Sequence, residues 1–226
     1  DIAIKGMMNV LDACEANNIK EIVLISSSEV YHHAAIIPTP ETIPLVIPDI
    51  KNPRFSYGGG KIASELMLMN YCKDNFKKAI IVRPHNVYGI DMGFEHVIPQ
   101  IISKINLLKN ENKKNLEIQG DGSETRAFIH IEDFVEGFEI ALNKSNHLEI
   151  LNIGNDREIK IIDLVKMIIK FMNYDCDIKS GKLRKGSTTR RCPDISKLKN
   201  MGFRPNINLE ESLPEMIEWY SKNIKC

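Results

Sequence analysis

The sequence lacks the features that mark several classes of protein. It has no apolar run near the roughly 18 residues that suggest a membrane span, and no signal peptide is visible. Its 30 basic and 30 acidic side chains cancel, which argues against a general binder of nucleic acid or of a membrane surface. We therefore expect neither nucleic acid nor a membrane as a partner.

Cysteine gives no sign of a disulfide framework or of a metal site. The five cysteines are odd in number and scattered, and no CxxC pair occurs. The adjacent His32 and His33 would point apart on a strand, so they do not predict a metal pair either. The cysteines are Cys14, Cys72, Cys176, Cys192 and Cys226. The pattern favours a reduced, cytoplasmic chain with no metal.

The chain has 226 residues, of which 43% are hydrophobic, and this is enough for a sizeable core. Its most informative stretch runs from residue 21 to residue 61. An apolar run of β type there ends in three hydroxyls, those of Ser26, Ser27 and Ser28. After a proline-rich loop, a predicted helix carries Tyr57 and Lys61 four residues apart, on one face. Ligands bind at strand ends of open α/β sheets, so these side chains can converge.

Such a convergence has a definite chemistry. A phenol is a poor base at its free pKa of about 10, but a nearby ammonium favours its phenolate form. A serine hydroxyl can hold a substrate hydroxyl while the phenolate removes its proton and a hydride leaves the carbon. The Tyr-x-x-x-Lys spacing alone also fits a helix with a buried tyrosine and an exposed lysine. The order of strand, serines, loop and helix favours the catalytic interpretation.

These motifs, ISSSEVY followed by YGGGK, resemble those of the extended short-chain dehydrogenase/reductase family. The narrower resemblance is to the NAD-dependent sugar-nucleotide epimerases, dehydratases and decarboxylases. It implies that Ser27 is the catalytic Ser/Thr, that Tyr57 is the base, and that Lys61 assists it and holds the NAD ribose. By the same resemblance Ser26 and Pro84 would lie at the cofactor. The sequence departs from the family at His32, where a glycine is usual.

Further segments resemble the family's substrate-binding elements. They are RPHNVYG, HVIP, GDGSETRAF and RRCPD. By resemblance they would bind a nucleotide-diphospho-sugar. The implied substrate-binding residues are Ser28, Asn86, Val97, Arg126 and Arg191. Simpler alternatives are a turn role for Asn86 and pairing of Arg126 with Glu124 or Asp133.

The resemblance predicts an α/β fold, a Rossmann-like doubly wound parallel sheet with a smaller α+β substrate-binding part. We expect residues 1–88, continued by 124–155, to form the later half of the NAD-binding domain, and 89–123 with 156–226 to bind substrate. The Gly-x-x-Gly-x-x-Gly turn that begins this half-sheet in the family does not occur. The N-terminal half is therefore predicted to be missing, by truncation or natural loss. We expect this chain alone to bind NAD weakly and to be inactive.

For the complete protein we predict oxidation at sugar C4, followed by epimerisation. Glu29 is compatible with an alternative function as a nucleotide-sugar-acid decarboxylase. A second alternative, a 4,6-dehydratase, is less favoured because position 28 is serine instead of aspartate. A third interpretation is a truncated, non-catalytic homologue that serves as a binding or dimerisation module. The first helix, by resemblance, would help to form a homodimer.

Overall fold

The computed structural model describes residues 2–183 and 186–223 and contains strands alternating with helices. Arg184, Lys185 and Cys226 lie outside these residues. The strands are β1 Glu21–Ile25, β2 Lys78–Pro84, β3 Val87–Tyr88, β4 Asn115–Ile118, β5 Thr125–Ala127, β6 Ile129–His130, β7 Glu149–Ile153, β8 Glu158–Lys160, β9 Asp177–Ser180 and β10 Arg190–Arg191. The helices are α1 Met7–Ala16, α2 Ser56–Tyr71, α3 Val97–Asn110, α4 Ile131–Lys144, α5 Ile161–Phe171, α6 Ser196–Asn200 and α7 Leu209–Asn223.

The central sheet is parallel, with the strand order β1-β2-β7. The middle strand β2 is apolar over residues 79–82 and buried on both faces, as parallel strands covered by helices usually are. β1 is only half-buried, and no strand of the described residues pairs with its other edge. All three strands end on the same side, so their carboxyl ends form one edge of the sheet.

Helices cover both faces of this sheet, which is the doubly wound arrangement that the sequence predicts. On one face, Ala79 and Ile81 of β2 pack with α1 and α2 through Leu11 and Leu68. The alternate residues of β2 point to the other face, because side chains of a strand alternate. There the core includes Ala141 of α4 together with two β7 residues.

A second core lies between α3, α5 and α7. Ile98, Ile102 and Ile105 recur at helical spacing on α3 and are fully buried against Leu164 of α5 and Leu213 of α7. The parallel pair β4–β9 and the mixed sheet β10-β5-β8 flank these helices. Most of this core comes from the ranges 89–123 and 156–226, for which substrate binding stays a prediction.

Two details differ from the sequence predictions. The predicted division places all of 156–226 in the substrate-binding part, but Ile195, Leu198 and Phe203 pack on the second face of the central sheet. From the sequence FEHVIPQIISKINLL, residues 94–108 are predicted to form a helix interrupted near Pro99, whereas α3 begins only at Val97 and Pro99 does not interrupt it. Pro99 lies in the first turn, where a missing backbone N–H costs no helical hydrogen bond.

No helix within residues 2–183 and 186–223 has both the length and the hydrophobicity of a membrane span.

A buried ion pair ties α2 to the central sheet. Arg83 of β2 is 2% exposed, and its guanidinium donates two hydrogen bonds to the carboxylate of Glu65 on α2, Nε to Oε1 at 2.9 Å. Ser26, just after β1, also donates to Glu65. Arg83 Nη1 donates to the phenol oxygen of Tyr31 at 2.8 Å, and that phenol donates to Asn152 of β7. The network therefore joins all three strands to the helix.

We predict that Glu65→Ala lowers the free energy of unfolding by about 3–5 kcal/mol, because it leaves the Arg83 charge buried and unpaired. Urea unfolding followed by circular dichroism measures this. Glu21→Ala is the matched control, since it removes a fully exposed carboxylate 2.9 Å from Lys77 and should leave the unfolding midpoint unchanged. Equal effects of the two substitutions would contradict the structural importance of the buried pair.

Candidate active site

Ser27 lies where the chain leaves the carboxyl end of β1. Its backbone is extended, and it begins the 3-10 turn Ser28–Tyr31. The side-chain oxygen accepts a hydrogen bond from the backbone N–H of Glu29 at 3.1 Å, which fixes the position of the oxygen. The Ser27 hydroxyl proton remains available to a ligand.

Tyr57 and Lys61 stand one turn apart at the start of α2. The Lys61 ammonium donates to the carbonyl oxygen of Ile25, the last residue of β1, at 2.7 Å. Its nitrogen is 6.0 Å from the centre of the Tyr57 ring. Tyr57 is 56% exposed while Lys61 is half-buried. This is the reverse of the buried tyrosine and exposed lysine of the packing alternative, and it brings both side chains to the strand end that carries Ser27.

Gly58 explains why α2 can approach the turn after β1. A Cβ at this position would lie 2.7 Å from the backbone oxygen of Glu29 and 2.5 Å from Cε1 of His32. A side chain would therefore push the first turn of α2 away from the turn that Ser27 begins. The absence of a side chain at Gly58 thus permits the close backbone approach.

His32 occupies a backbone conformation that explains the glycine usual at this position in the family. Its φ is +43° and its ψ is −103°, a region that residues with a side chain rarely adopt. The ring is buried edge-on against Phe55, and Nε2 has no hydrogen-bond partner in the described structure. Burial lowers the pKa of His32 more than the neighbouring Glu29 charge raises it, so the ring is neutral near pH 7.

Glu29 and Arg191, predicted separately, are paired with each other. Arg191 Nη1 lies 2.5 Å from Glu29 Oε1, and this pair joins the turn after β1 to β10. Burial by itself would raise the pKa of Glu29, but the charge and hydrogen bond of Arg191, with the charge of Arg54, hold it below its ordinary value of 4.5. Glu29 is therefore an ion-paired carboxylate at neutral pH.

Three of the predicted substrate-binding residues, Asn86, Val97 and Arg126, line one cavity of about 260 Å³. Asn86 has a positive φ of 43°, and its amide donates to the Ala127 carbonyl at 2.9 Å, so it also has the turn role considered above. Val97 begins α3. The cavity lies between α3, β4 and β5.

Arg126 does not form either of the ion pairs considered as alternatives. Its guanidinium donates to the backbone carbonyls of Thr125 and Thr188, both at 2.7 Å. Asp133 instead accepts from the backbone N–H groups of residues 206 and 207. Burial, followed by the repulsion of Arg191, lowers the pKa of Arg126 to about 10. The guanidinium stays cationic at neutral pH, and no carboxylate of residues 2–183 or 186–223 is bound to it, which suits an anionic ligand.

The remaining predicted residues are more constrained. Ser26 is 4% exposed and its hydroxyl is engaged by Glu65, so it offers a ligand little more than its backbone. Ser28 is buried in the 3-10 turn, and Pro84 ends β2 at the carboxyl edge of the sheet. Glu65 was missed from the sequence, although it follows Lys61 by four residues on the same helix face. A charge in that position also fits a solvated helix surface.

Comparison with known proteins identifies the relationship that this geometry indicates. The model of the NAD dependent epimerase/dehydratase family matches residues 1–154. The chain belongs to this family. The resemblance inferred from ISSSEVY and YGGGK is confirmed, as is the Rossmann-like α/β fold. The family consists of enzymes whose cofactor is NAD.

Individual relatives agree with this family membership. The chain is 31% identical over 227 residues to a putative UDP-glucose 4-epimerase of Methanocaldococcus jannaschii, covering 99% of this chain and 70% of the relative. It is 32% identical over 226 residues to an Arabidopsis thaliana trifunctional UDP-glucose 4,6-dehydratase/UDP-4-keto-6-deoxy-D-glucose 3,5-epimerase/UDP-4-keto-L-rhamnose-reductase. This match covers 97% of this chain and 32% of the relative. The chain thus spans only about a third of that relative's length.

A solved structure is similar across nearly the whole chain. It is a UDP-N-acetylglucosamine 4-epimerase from Methanobrevibacter ruminantium in complex with UDP-N-acetylmuramic acid. The TM-score is 0.84 at 25% identity, and the match covers 98% of this chain and 69% of the other.

We predict that Gly58→Ala destabilises the fold by about 1–3 kcal/mol, because the added methyl group collides with backbone. Gly59→Ala is the control, since its Cβ would meet only the flexible end of Ile47 at 3.1 Å, and alanine favours a helix by up to about 1 kcal/mol. Urea unfolding of both variants gives the comparison. A Gly58→Ala protein as stable as Gly59→Ala would show that the close approach of α2 is not required.

Proposed function

We propose that the protein containing this chain oxidises a nucleotide-diphospho-sugar at C4 and then reduces the keto-sugar from its other face, as an epimerase. The observation that carries the proposal is the arrangement at the end of β1. There the Lys61 ammonium donates a hydrogen bond to the Ile25 carbonyl at 2.7 Å, beside the exposed ring of Tyr57. Ser27 lies two residues after Ile25, at the same strand end. A family of NAD-dependent epimerases and dehydratases supplies the reaction class.

Each of the three side chains has one task in this mechanism. The Tyr57 phenolate takes the proton of the sugar hydroxyl at its Oη atom. The Lys61 ammonium favours the phenolate by its positive charge. The Ser27 hydroxyl binds the same sugar oxygen and orients it, since its own oxygen is already fixed by the Glu29 N–H. On the return step Tyr57 gives the proton back.

The residues present fit the nicotinamide end of NAD. The half-buried Lys61 and the exposed Tyr57 offer an ammonium and a hydroxyl at the carboxyl edge of the sheet, the donors that a ribose diol requires. Pro84 ends the neighbouring strand at the same edge. When bound, NAD would accept the hydride from the sugar carbon and later return it.

The substrate's nucleotide would occupy the cavity beside Arg126. The cationic guanidinium, with Asn86 and Val97 on the cavity wall, supports a diphosphate there. Arg191 would be a second phosphate contact, although Glu29 now neutralises its charge. A phosphate that reaches Arg191 therefore has to compete with Glu29 for it.

Glu29 is also the residue on which the alternative reactions depend. A nucleotide-sugar-acid decarboxylase or a 4,6-dehydratase of the same family would use a carboxyl group close to Ser27. The ion pair with Arg191 makes Glu29 a weak base and keeps it from acting as an acid, which favours epimerisation. A non-catalytic binding or dimerisation module would not need Ser27, Tyr57 and Lys61 together at a strand end.

We infer a homodimer from the apolar residues that α1 and α2 leave exposed, Met8, Val10 and Leu66. Such residues on neighbouring helices can pair two subunits by packing. Sedimentation equilibrium at micromolar concentration should give twice the monomer mass, and a monomer would contradict this inference. A cytoplasmic location remains the expectation from the sequence.

The reaction is tested by incubating the protein, expressed from its complete reading frame, with NAD and a panel of nucleotide sugars. Mass spectrometry and sugar configuration of the products are measured. An unchanged mass with an inverted carbon supports the epimerase. Loss of carbon dioxide or water would support the decarboxylase or the dehydratase, and no conversion of any sugar would support the non-catalytic module.

We predict that Tyr57→Phe lowers kcat by about 10²–10⁴-fold, the usual contribution of a general base, with little change in KM. Tyr71→Phe is the control, because Tyr71 lies on the same helix but its hydroxyl contacts Glu15 at the surface. It should leave kcat unchanged. A Tyr57→Phe enzyme with wild-type kcat would contradict the assigned base.

A further inference from the structure

The cavity beside Arg126 contains a carboxylate that lacks a hydrogen-bond donor. Glu124 lines this cavity and is only 8% exposed. Its Oε2 is out of contact with solvent, and in the described part of the chain no group donates a hydrogen bond to it. Leaving a buried carboxylate oxygen without a donor costs more than leaving a neutral acceptor unpaired. A ligand that supplies a donor would therefore gain affinity from it.

The position of Glu124 relative to Arg126 indicates which part of a ligand could supply that donor. The two residues are two apart along an extended segment, and both side chains line the same cavity, so they lie about 7 Å apart along the strand. Arg126 is the phosphate-binding cation of the proposed function. A group about 7 Å from a nucleotide's phosphate is its ribose, whose 2′ and 3′ hydroxyls are hydrogen-bond donors.

Gly120 gives the carboxylate room at this place. Its φ is +70°, and a Cβ there would lie 2.7 Å from Glu124 Oε1. Gly120 thus lets Glu124 fold back against the turn between β4 and β5 without a collision. Glu124 thus lines the cavity together with Ile118 and Gln119, the residues just before the turn.

We propose that Glu124 binds the ribose of the nucleotide substrate by accepting hydrogen bonds from its hydroxyl groups. This inference rests on the proposed function, because it takes Arg126 as the phosphate site. It makes Glu124 a specificity residue that distinguishes ribonucleotides from deoxyribonucleotides. A carboxylate accepts from a vicinal diol with both of its oxygens, whereas a deoxyribose leaves it partly unpaired.

The test compares nucleoside diphosphates of the four RNA bases with their 2′,3′-dideoxy counterparts by isothermal titration calorimetry. The wild-type chain should bind at least one ribonucleotide about tenfold to a hundredfold more tightly than its dideoxy form, the range expected for a hydrogen bond to a charged acceptor. In Glu124→Ala the two forms should bind equally. The ratio of the two affinities is insensitive to any general change in the charge of the cavity.

Two controls separate this effect from others. Glu95→Ala removes an exposed carboxylate at the rim of the same cavity and should preserve the wild-type ratio. Inorganic pyrophosphate should raise the melting temperature of Glu124→Ala at least as much as that of the wild type, which shows that the variant is folded and that its phosphate site is intact.

The outcomes distinguish the inference from the proposed function. If the wild type binds no nucleoside diphosphate, both are wrong. If the wild type binds ribonucleotides but Glu124→Ala keeps the ribose preference, only the role of Glu124 is wrong. If Glu124→Ala changes the preference between bases but alters the affinities of the ribose and dideoxyribose forms by the same factor, Glu124 recognises the base. That result overturns the ribose assignment.

Discussion

The buried contact between Arg83 and Glu65 holds helix α2 against the central sheet, at the edge where we propose the active site. Taking both charges out of water is costly, and the cost is offset only because each hydrogen-bonding atom has a partner. The pair fixes α2 against β2, while Ser26 and Tyr31 extend the same network to β1 and β7. Burial raises the pKa of Tyr31 to about 12, so its phenol remains a neutral donor and acceptor. No solvated surface pair could fix the helix so firmly, because water would compete for each bond.

The positions of the side chains that we propose as catalytic follow from this anchored frame. Glu65 lies one turn beyond Lys61 on α2. The ion pair of Glu65 with Arg83 therefore fixes the position of α2 along the sheet, so that Lys61 reaches the end of β1. Gly58 then removes the steric obstacle between the helix and the turn after Ser27. Strand β10 is connected to this edge by the Glu29–Arg191 pair. The fold thus brings the proposed proton-transfer site and the cavity beside Arg126 together from segments far apart in sequence.

Local patterns predicted much of this arrangement, and long-range pairing accounts for what they missed. The apolar run at β1, the serines after it and the Tyr57–Lys61 spacing are local, and family membership and fold are confirmed. The engagement of Glu29 by Arg191, 162 residues away, leaves no trace in either segment. Glu65 was missed, and Glu124 was considered only as an ion-pair partner of Arg126, because a glutamate in sequence usually indicates a solvated surface. The segment around α6 packs on the central sheet through three apolar residues, 195, 198 and 203. Their contacts are with residues far away in the sequence, so no local pattern predicts them.

The central claim is that one substrate hydroxyl is shared by the oxygens of Ser27 and Tyr57, with Lys61 beside the phenol. The most direct measurement is a crystal structure of the complete protein with NAD and a nucleotide-diphospho-sugar bound. The account predicts that the sugar's C4 hydroxyl lies about 3 Å from both Ser27 Oγ and Tyr57 Oη, within hydrogen-bond distance. A bound sugar whose hydroxyls reach neither oxygen, or a Lys61 ammonium turned away into solvent, would contradict it.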